Sequence, residues 1–228
     1  MSIYAISDLH LSGAKDKPMD MFGDEWSNHS QKIQDNWIKK IKDNDTILIC
    51  GDTSWAMKTE DARVDLDMIG KLPGRKIFIK GNHDYWWNST GKLNGMYENM
   101  VFLQNTFETY EDFAICGSRG WDFPGEKSTA TDIKIYKREL GRMKLSLDAA
   151  LSKGHSKILF MIHFPPLLNG MDTSEVINLL SQYPIVECLY GHLHGKDNFK
   201  AGFQGRLNGC NYKLVSADYI DFDPVLIF

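Results

Sequence analysis

The sequence has few cysteines, and their spacing is not that of a zinc site. Its 228 residues include four of them, and no two form a CxxC pair: Cys50, Cys116, Cys188 and Cys210. Three of the four lie in apolar, strand-like runs, where a reduced cysteine behaves as a small hydrophobe. This pattern argues against a zinc ribbon or a disulfide framework, and it favours a reducing cytosol.

The sequence also lacks a long apolar stretch and an excess of positive charge. No run approaches the roughly 20 apolar residues that span a bilayer. The N-terminus, MSIYAISDLHL, has no basic segment followed by an apolar one, as a signal peptide has. The formal net charge of −4 argues against a general electrostatic binder of nucleic acid. We therefore expect a cytoplasmic protein with no membrane segment, and the length fits one domain over residues 1–228.

Short apolar runs rich in Ile, Leu and Val recur along the chain. Nearly continuous runs of this kind are typical of central strands that are covered on both faces. They occupy residues 3–6, 46–50, 76–80, 113–117, 157–163, 186–190 and 213–217. Segments with three-four apolar spacing separate several of them. This alternation predicts an α/β layered fold, with a second sheet from Phe113 onward.

Four helices are predicted from apolar stripes and end signals. Ile33, Trp37 and Ile41 share one helix face, with Asn28 or Ser30 as the N-cap. The other three helices cover 59–72, about 131–153 and 174–182. The longest of them carries the stripe Tyr136, Leu140, Met143, Leu147 and Leu151.

Ionisable and polar side chains directly follow most of the predicted strands. Five of the seven histidines stand at such strand ends, beside aspartates and an asparagine. The set is Asp8, His10, Asp52, Asn82, His83, Asp84, His163, His192 and His194. Because the carboxyl ends of the strands line the ligand crevice of an open α/β sheet, we expect these side chains to meet at one edge of the fold.

Binding of divalent cations is the physical reason for so many imidazoles and carboxylates to converge. Taken singly, Asp52 or His163 also fits a structural role, but packed together without a cation the set is costly to bury. Nitrogen and oxygen donors without a thiolate suit Mn, Fe, Zn, Co or Ni, with manganese favoured. The donors are too numerous for one tetrahedral zinc, which indicates two metals. Two metals about 3.5–4 Å apart make hydroxide available near neutral pH and hold phosphate oxygens, so the predicted reaction is hydrolysis of a phosphate ester.

The strand-end residues form five short motifs that resemble those of the calcineurin-like metallophosphoesterases. In chain order the motifs are Asp8-x-His10, Gly51-Asp52, Gly81-Asn82-His83-Asp84, His163 and Gly191-His192-x-His194. One motif alone is weak, but five in order form a specific signal. The resemblance implies a four-layer fold, a sandwich of two β-sheets flanked by helices, with a dinuclear metal site at the sheet edge.

The resemblance also implies a role for each site residue. The first metal would take Asp8, His10 and His194, the second Asn82, His163 and His192, and both would take Asp52. An extended backbone would put residues two apart on the same face, which suits His192 and His194 as ligands of neighbouring ions. His83 would lie beside the substrate phosphate, to stabilise charge or protonate the leaving oxygen, and Asp84 would orient it.

One branch of the family fits the sequence less well than the others. Protein serine/threonine phosphatases continue the second motif as GDxxDRG, whereas this chain has Gly51-Asp52-Thr53-Ser54-Trp55-Ala56, without that arginine. The third motif ends in Asp84 where that branch usually has glutamate. The chain looks more like the small bacterial phosphohydrolases and phosphodiesterases, which act on small-molecule phosphate esters. The expected substrate is a phosphodiester or a phosphomonoester, and a diester or a small nucleotide-like molecule is preferred. A non-catalytic scaffold for protein binding is the other alternative, and the complete ligand set counts against it.

Three further features have open interpretations. Arg119 suits bidentate phosphate recognition, since it follows a strand, but it also fits a surface arginine. Tyr85, Trp86 and Trp87 either stack on a ring of the substrate or pack as core and pocket wall. The aperiodic stretch 13–28 predicts a long loop, which is either a lid or partner surface or a plain exposed loop.

Overall fold

Two β-sheets stacked face to face form the centre of the molecule. The computed structural model describes residues 1–15 and 17–228. The first sheet has the order β11-β1-β2-β3-β4, and β1 to β4 run parallel while β11 is antiparallel. Its strands are β1 (Ile3–Ile6), β2 (Thr46–Ile49), β3 (Arg75–Phe78), β4 (Met100–Phe102) and β11 (Val225–Leu226).

The second sheet has six strands, in the order β5-β6-β7-β8-β10-β9. They are β5 (Phe107–Tyr110), β6 (Phe113–Ser118), β7 (Ile158–Ile162), β8 (Ile185–Tyr190), β9 (Gly205–Leu207) and β10 (Cys210–Leu214). The inner strands β6, β7, β8 and β10 are parallel, whereas β5 and β9 are antiparallel edge strands. The carboxyl ends of the parallel strands therefore lie together within each sheet.

Helices cover the outer faces of both sheets. They are α1 (His29–Lys40), α2 (Thr59–Lys71), α3 (Thr90–Leu93), α4 (Ala130–Ser152) and α5 (Glu175–Leu180). Helices α1 and α2 pack their apolar stripes on the first sheet, and α4 and α5 pack on the second. A third apolar layer, with Leu48 and Ile77 facing Leu159 and Leu189, fills the space between the sheets. The four-layer α/β sandwich predicted from the sequence is confirmed.

Several element boundaries differ from the sequence prediction. The run 213–217 is not a single strand, because β10 ends at Leu214. Beyond it Ser216 forms a bridge to Ser7, so this backbone connects the two sheets. Leu151 is exposed, so the apolar stripe of α4 is shorter than predicted. Asn28 stands at the N-cap of α1, but in a left-handed conformation without a side-chain cap bond.

The stretch 13–28 contains two short 3-10 turns, Met19–Phe22 and Asp24–Trp26. Met19 and Trp26 are buried against the first sheet's helical layer, which excludes a plain exposed loop for these two residues. Asp16, within the same predicted loop, lies outside the described residues. No helix in the described part of the chain is long and apolar enough to cross a membrane.

Candidate metal centre

The loops that leave the parallel strands are hydrogen-bonded to one another at one edge of the sandwich. The backbone N–H of Asp8, beyond β1, donates to the carbonyl of Gly51, beyond β2, at 2.9 Å. The N–H of His10 donates to the carbonyl of Asp52 at 3.0 Å. The N–H of Gly191, beyond β8, donates to the carbonyl of His163, beyond β7, at 3.1 Å. Sequence-distant strand ends are thereby fixed side by side.

Four of the candidate ligands have unusual backbone conformations. Positive φ angles occur at Asp8 (59°), His10 (45°), Asp52 (51°) and His192 (72°). Non-glycine residues rarely adopt this region, and such strain is concentrated at functional sites. The conformation of His192 corrects the sequence prediction, because its left-handed backbone interrupts the extended strand expected between His192 and His194.

Two glycines allow the loops to approach each other closely. A Cβ atom at Gly81 would lie 2.1 Å from Oδ1 of Asp52. A Cβ atom at Gly191 would lie 2.2 Å from Oδ2 of Asp8. Both glycines belong to the motifs of the sequence analysis, and the physical reason for each is the space needed by a neighbouring carboxylate.

The first donor group consists of Asp8, His10 and His194. The Nε2 atom of His194 lies 3.3 Å from Oδ1 of Asp8 and 3.2 Å from Nε2 of His10. The Nε2 atom of His10 lies 3.9 Å from Oδ1 of Asp8 and 3.9 Å from Oδ2 of Asp52. One donor atom from each of the three residues lies within 4.8 Å of the other two, a spacing that can hold one metal ion.

The second donor group consists of Asn82, His163 and His192. The Oδ1 atom of Asn82 lies 2.7 Å from Nε2 of His163 and 3.0 Å from Nδ1 of His192. The two imidazole nitrogens are 3.3 Å apart. Oδ2 of Asp52 lies 3.4 Å from Nε2 of His163, so Asp52 borders both donor groups. Asp8 also borders both, since it forms a second possible cluster with Asp52 and His163.

The charges at this edge fit a divalent cation. Asp8 and Asp52 are buried, and the only basic groups that pair with them among the described residues are imidazoles. Burial opposes a charged imidazole at His163, yet the carboxylates of Asp52 and Asp8 raise the pKa of His163 to about 9. Burial lowers the pKa of His192 to about 4, which keeps this imidazole neutral. Paired buried carboxylates without lysine or arginine are a charge pattern that a metal ion neutralises.

Polar groups behind the donors fix two of the imidazole rings. The Nδ1 atom of His163 lies 3.0 Å from the carbonyl oxygen of Cys50, so it donates there and directs Nε2 towards the other donor atoms of the site. The Nδ1 atom of His194 lies 2.9 Å from Oδ1 of Asp218, which has the same effect on Nε2 of His194. The other carboxylate oxygen of Asp218 accepts from the N–H of Gly195 at 2.9 Å.

His83 and Asp84 have different surroundings. The His83 imidazole is half-buried and lines a cavity of about 900 Å³, the main cavity of the structure. Its ring centroid lies 5.8 Å from that of His10. Its backbone N–H donates to Oδ1 of Asp52 at 2.7 Å. Asp84 is fully buried, and its carboxylate accepts from backbone N–H groups of the second and third motifs and from Nε1 of Trp86. The expectation that Asp84 orients the His83 ring is therefore corrected: Asp84 organises the two loops.

Arg119 does not reach the donor groups. Its guanidinium pairs with Glu139 of α4 at 3.2 Å and lies 4.5 Å from the ring of Trp121. It lines a small cavity with Lys80 and Glu139, and not the main cavity. The structure gives no support to the phosphate-binding role expected for this side chain, because its charge is already paired with a buried carboxylate.

The main cavity opens at the first donor group. His10, His83 and His194 line one end of it. Of the three successive aromatics, Trp86 and Trp87 are buried in the core, while Tyr85 is 53% exposed and lines this cavity. The core interpretation is thus right for the two tryptophans, and the pocket-wall interpretation is right for the tyrosine.

Two site residues were missed by the sequence analysis. Asp218 directly follows the apolar run 213–217, so the rule that located the other strand-end residues points to it as well. Trp55 follows Asp52 by three residues, and its ring stacks on His10 with a centroid distance of 4.7 Å and an interplanar angle of 19°. No periodic signal in the sequence marks Trp55, because it lies in an irregular loop between β2 and α2.

Comparison with known proteins agrees with this geometry. Two mixed sheets bring aspartates and imidazoles together at one edge, an arrangement that suits metal binding. The family model for calcineurin-like phosphoesterases matches residues 1–196, and the chain belongs to this family. It is a metal-dependent phosphoesterase. A search of curated proteins finds no match.

Two solved structures are similar along nearly the whole chain. The phosphopantetheinyl hydrolase of Mycobacterium tuberculosis has a TM-score of 0.63 and 15% sequence identity, over 100% of this chain and 95% of that one. A protein of unknown function from Aquifex aeolicus, AQ665, has a TM-score of 0.48 and 16% identity, over 99% of this chain and 95% of that one. At such low identity, the likeness to the hydrolase shows a shared fold.

Proposed function

We propose that the chain hydrolyses phosphodiesters with two divalent metal ions bound at the edge of the sandwich. The observation that carries this proposal is the pair of donor groups that meet at Asp52. One carboxylate bordering both groups would be available as a ligand to both cations. The nitrogen and oxygen donors, without a thiolate, favour manganese or a similar transition metal.

The proposed ligand sets follow the two donor groups. The first ion would be held by Asp8, His10 and His194, the second by Asn82, His163 and His192, and Asp52 would be available to both. When bound, such ions neutralise phosphate oxygens and lower the pKa of a water molecule to near neutrality. Catalysis at neutral pH is then possible without a strongly basic side chain.

His83 is the proposed acid for the leaving oxygen. Its imidazole faces the cavity, and its backbone is held to the shared carboxylate of Asp52 by the 2.7 Å hydrogen bond. A proton placed on the leaving oxygen as its bond to phosphorus breaks lowers the barrier for a poor leaving group. The amide oxygen of Asn82 faces the imidazoles of His163 and His192. Its amide nitrogen can therefore hold a phosphate oxygen.

The charges around the cavity favour a diester over a monoester. A phosphodiester carries one negative charge near neutral pH, whereas a monoester carries nearly two. The cationic side chains that line the cavity, within the described residues, are Lys15 and Lys17, and no guanidinium joins them. Arg119, the candidate for that task, is paired with Glu139. A monoester would therefore lack the bidentate partner that usually neutralises its second charge.

The alternatives have less support. A non-catalytic scaffold does not need a complete set of seven donor residues together with His83. A protein phosphatase is disfavoured by the absence of the motif arginine after Asp52. The four cysteines are all unpaired and buried, which supports the proposed location in the reducing cytoplasm.

The decisive experiment compares esters on chelated and metal-restored protein. Elemental analysis should find about two transition-metal ions per chain, and manganese should restore hydrolysis of bis-p-nitrophenyl phosphate in preference to p-nitrophenyl phosphate. The set of esters should include a phosphopantetheinyl-serine peptide, because the name of the similar M. tuberculosis protein suggests this phosphodiester. Metal binding without hydrolysis of any ester would instead support the scaffold.

A matched pair of variants tests the role of His83. We expect His83→Ala to keep both metals and to lose about two to four orders of magnitude in turnover. His155→Ala is the control, because His155 lies near Phe107 at the far side of the second sheet, away from the donor groups. Equal effects of the two substitutions would contradict the assignment.

A further inference from the structure

The main cavity has a wall of mixed chemistry beside the proposed metal site. The imidazoles of His10, His83 and His194 line it, and so do the ammonium groups of Lys15 and Lys17. The rest of the wall includes five large apolar side chains from three separate loops: Met19, Phe22, Trp55, Met57 and Tyr85. No carboxylate of the described residues lines it. An ester with its phosphate at the imidazoles would therefore place its organic part against the apolar groups.

The apolar part of the wall begins directly beside the metal site. Trp55 stacks on the candidate ligand His10, and Nε1 of Trp55 donates to the sulfur of Met19 at 3.2 Å. Met19 is buried, so it is a fixed part of the wall. The other face of the Trp55 ring carries the ammonium of Lys17, whose Nζ lies 2.9 Å from the ring centroid, so a ligand beside His10 would meet Trp55 at the ring edge.

The mouth of the cavity carries exposed apolar side chains. Phe22 is 56% exposed, Met57 55% and Tyr85 53%, although all three line the same cavity. Each of these side chains can therefore bury apolar surface against a ligand that enters the cavity. Methionine is flexible and polarisable, and it adapts to chains without a fixed shape.

The same wall is poor in groups that recognise a nucleobase or a sugar. Such recognition needs donors and acceptors placed along the edges of the ring. Among the described lining residues, Asn198 has the one side-chain amide, and its Nδ2 already donates to the carbonyl of His194 at 2.9 Å. The nucleotide-like substrate expected from the sequence thus has little to bind here.

We propose that the natural substrate is a phosphodiester with a flexible aliphatic arm, which lies against Trp55, Met57 and Phe22 while the phosphate is at the metal site. This inference rests on the proposed function and specifies the substrate class. Hydrolysis adds water to phosphorus and breaks the bond to the leaving oxygen, and the arm stays on the phosphate or leaves with that oxygen. The apolar wall contributes binding energy whichever of the two ester bonds is broken.

A series of p-nitrophenyl phosphodiesters tests the inference on metal-loaded protein. The esters share the p-nitrophenolate leaving group and differ in the second arm, which is methyl, n-hexyl or 5′-thymidyl; the hexyl chain is short enough to stay monomeric. A fully buried methylene contributes about fourfold to binding. We expect kcat/KM to rise at least tenfold from methyl to hexyl, with the thymidyl ester below the hexyl ester.

Substitutions at the mouth provide the structural test. We expect the double variant Phe22→Ser with Met57→Ser to reduce the hexyl-to-methyl ratio of kcat/KM below threefold. The control is Leu145→Ser, an equally exposed apolar residue (55%) on α4, which should keep the wild-type ratio.

The outcomes separate the two proposals. Equal kcat/KM for methyl and hexyl esters, or a preference for the thymidyl ester, would overturn the aliphatic arm while leaving the phosphodiesterase intact. Absence of metal-dependent turnover with every diester would instead overturn the proposed function itself. A ratio that falls equally in the Leu145→Ser control would show that the preference does not arise at the cavity mouth.

Discussion

Asp218 holds the imidazole of His194 through a hydrogen bond of 2.9 Å between Oδ1 and Nδ1. The carboxylate is buried, and it also accepts from the N–H of Gly195, so its position is fixed by two bonds. Because Nδ1 of His194 is held by Asp218, Nε2 is the nitrogen that faces Asp8 and His10 and would bind a metal ion. This relationship joins the end of β10 to the metal site.

Asp218→Asn should weaken metal binding at the first donor group. Asparagine keeps the size but loses the charge that favours the Nδ1–H form of His194, so we expect metal affinity to fall about 10–100-fold. Calorimetric titration of the chelated protein with manganese measures this loss. The control is Asp221→Asn, an exposed position with positive φ that asparagine tolerates. Unchanged affinity in Asp218→Asn would mean that the contact is only structural.

Asp52→Ala should remove both metals, because Asp52 borders both donor groups at 3.9 Å and 3.4 Å. We expect elemental analysis after dialysis to find well below one ion per chain. His192→Ala removes a ligand of one group alone, and it should leave about one ion. If Asp52→Ala also retains one ion, the shared-ligand role is wrong.

Asp84→Ala should destabilise the protein without any metal present. The buried carboxylate accepts five hydrogen bonds, from the N–H groups of Asp52 (2.9 Å), Thr53 (2.8 Å), Ser54 (3.3 Å) and Gly81 (2.8 Å) and from Trp86 Nε1 (2.9 Å). Each buried donor left without a partner costs about 1–3 kcal/mol.

We therefore expect the free energy of unfolding in urea to fall by about 3–5 kcal/mol in Asp84→Ala. Measurement on chelated protein separates this effect from metal loss. Asp172→Ala, at an exposed loop position, should change the free energy of unfolding by less than about 0.5 kcal/mol. A loss of activity in Asp84→Ala with full stability would point to a direct catalytic role instead.

Arg119→Gln should affect stability more than catalysis. Glu139 is buried and accepts from Ser118, Arg119 and Arg142, so loss of one partner should cost about 1–3 kcal/mol. Since the guanidinium does not line the main cavity, kcat/KM should stay within about threefold of wild type. Arg206→Gln, at an exposed position, controls for the change in net charge. A hundredfold fall in kcat/KM with unchanged stability would restore the phosphate-binding role.

The burial of Lys76 makes the free energy of unfolding depend on pH over a defined range. Its side chain in β3 is fully buried, Nζ donates to the carbonyl of Leu72, and burial lowers the pKa of Lys76 from 10.5 to about 8. Between pH 8 and 10.5 the unfolded chain holds this proton and the folded chain does not. The free energy of unfolding therefore gains a contribution that rises with pH across this window.

Lys76→Met removes that contribution. We compare the free energy of unfolding of the variant with that of wild type. The difference in favour of the variant should be largest below pH 8 and should decrease by about 3 kcal/mol towards pH 10.5. Urea unfolding at several pH values measures the difference. Lys71→Met makes the same change of charge at an exposed site and should show no such window. A pH-independent difference for Lys76→Met would mean that Lys76 is solvated in the folded protein.

The sequence by itself determined which residues stand at the strand ends. Asp8, Asp52, Asn82, His163 and His192 each follow an apolar run, and both the run and the next residue are local features. Since parallel strands of one sheet end at one edge, such local patterns are enough to predict a two-sheet α/β fold and a common metal site. Short edge strands such as Met100–Phe102 and Val225–Leu226 were missed, because two or three residues carry no recognisable period.

The tertiary structure alone decided the partners of the charged and aromatic side chains. Arg119 pairs with the buried carboxylate of Glu139, and Asp84 accepts hydrogen bonds from the loop backbone. In each case burial requires a nearby partner for the charge or for the N–H groups. Asp218 reached His194, and Trp55 reached His10, across contacts between distant loops. Such choices depend on distances that are set only when both sheets have packed, so no local pattern in the chain contains them.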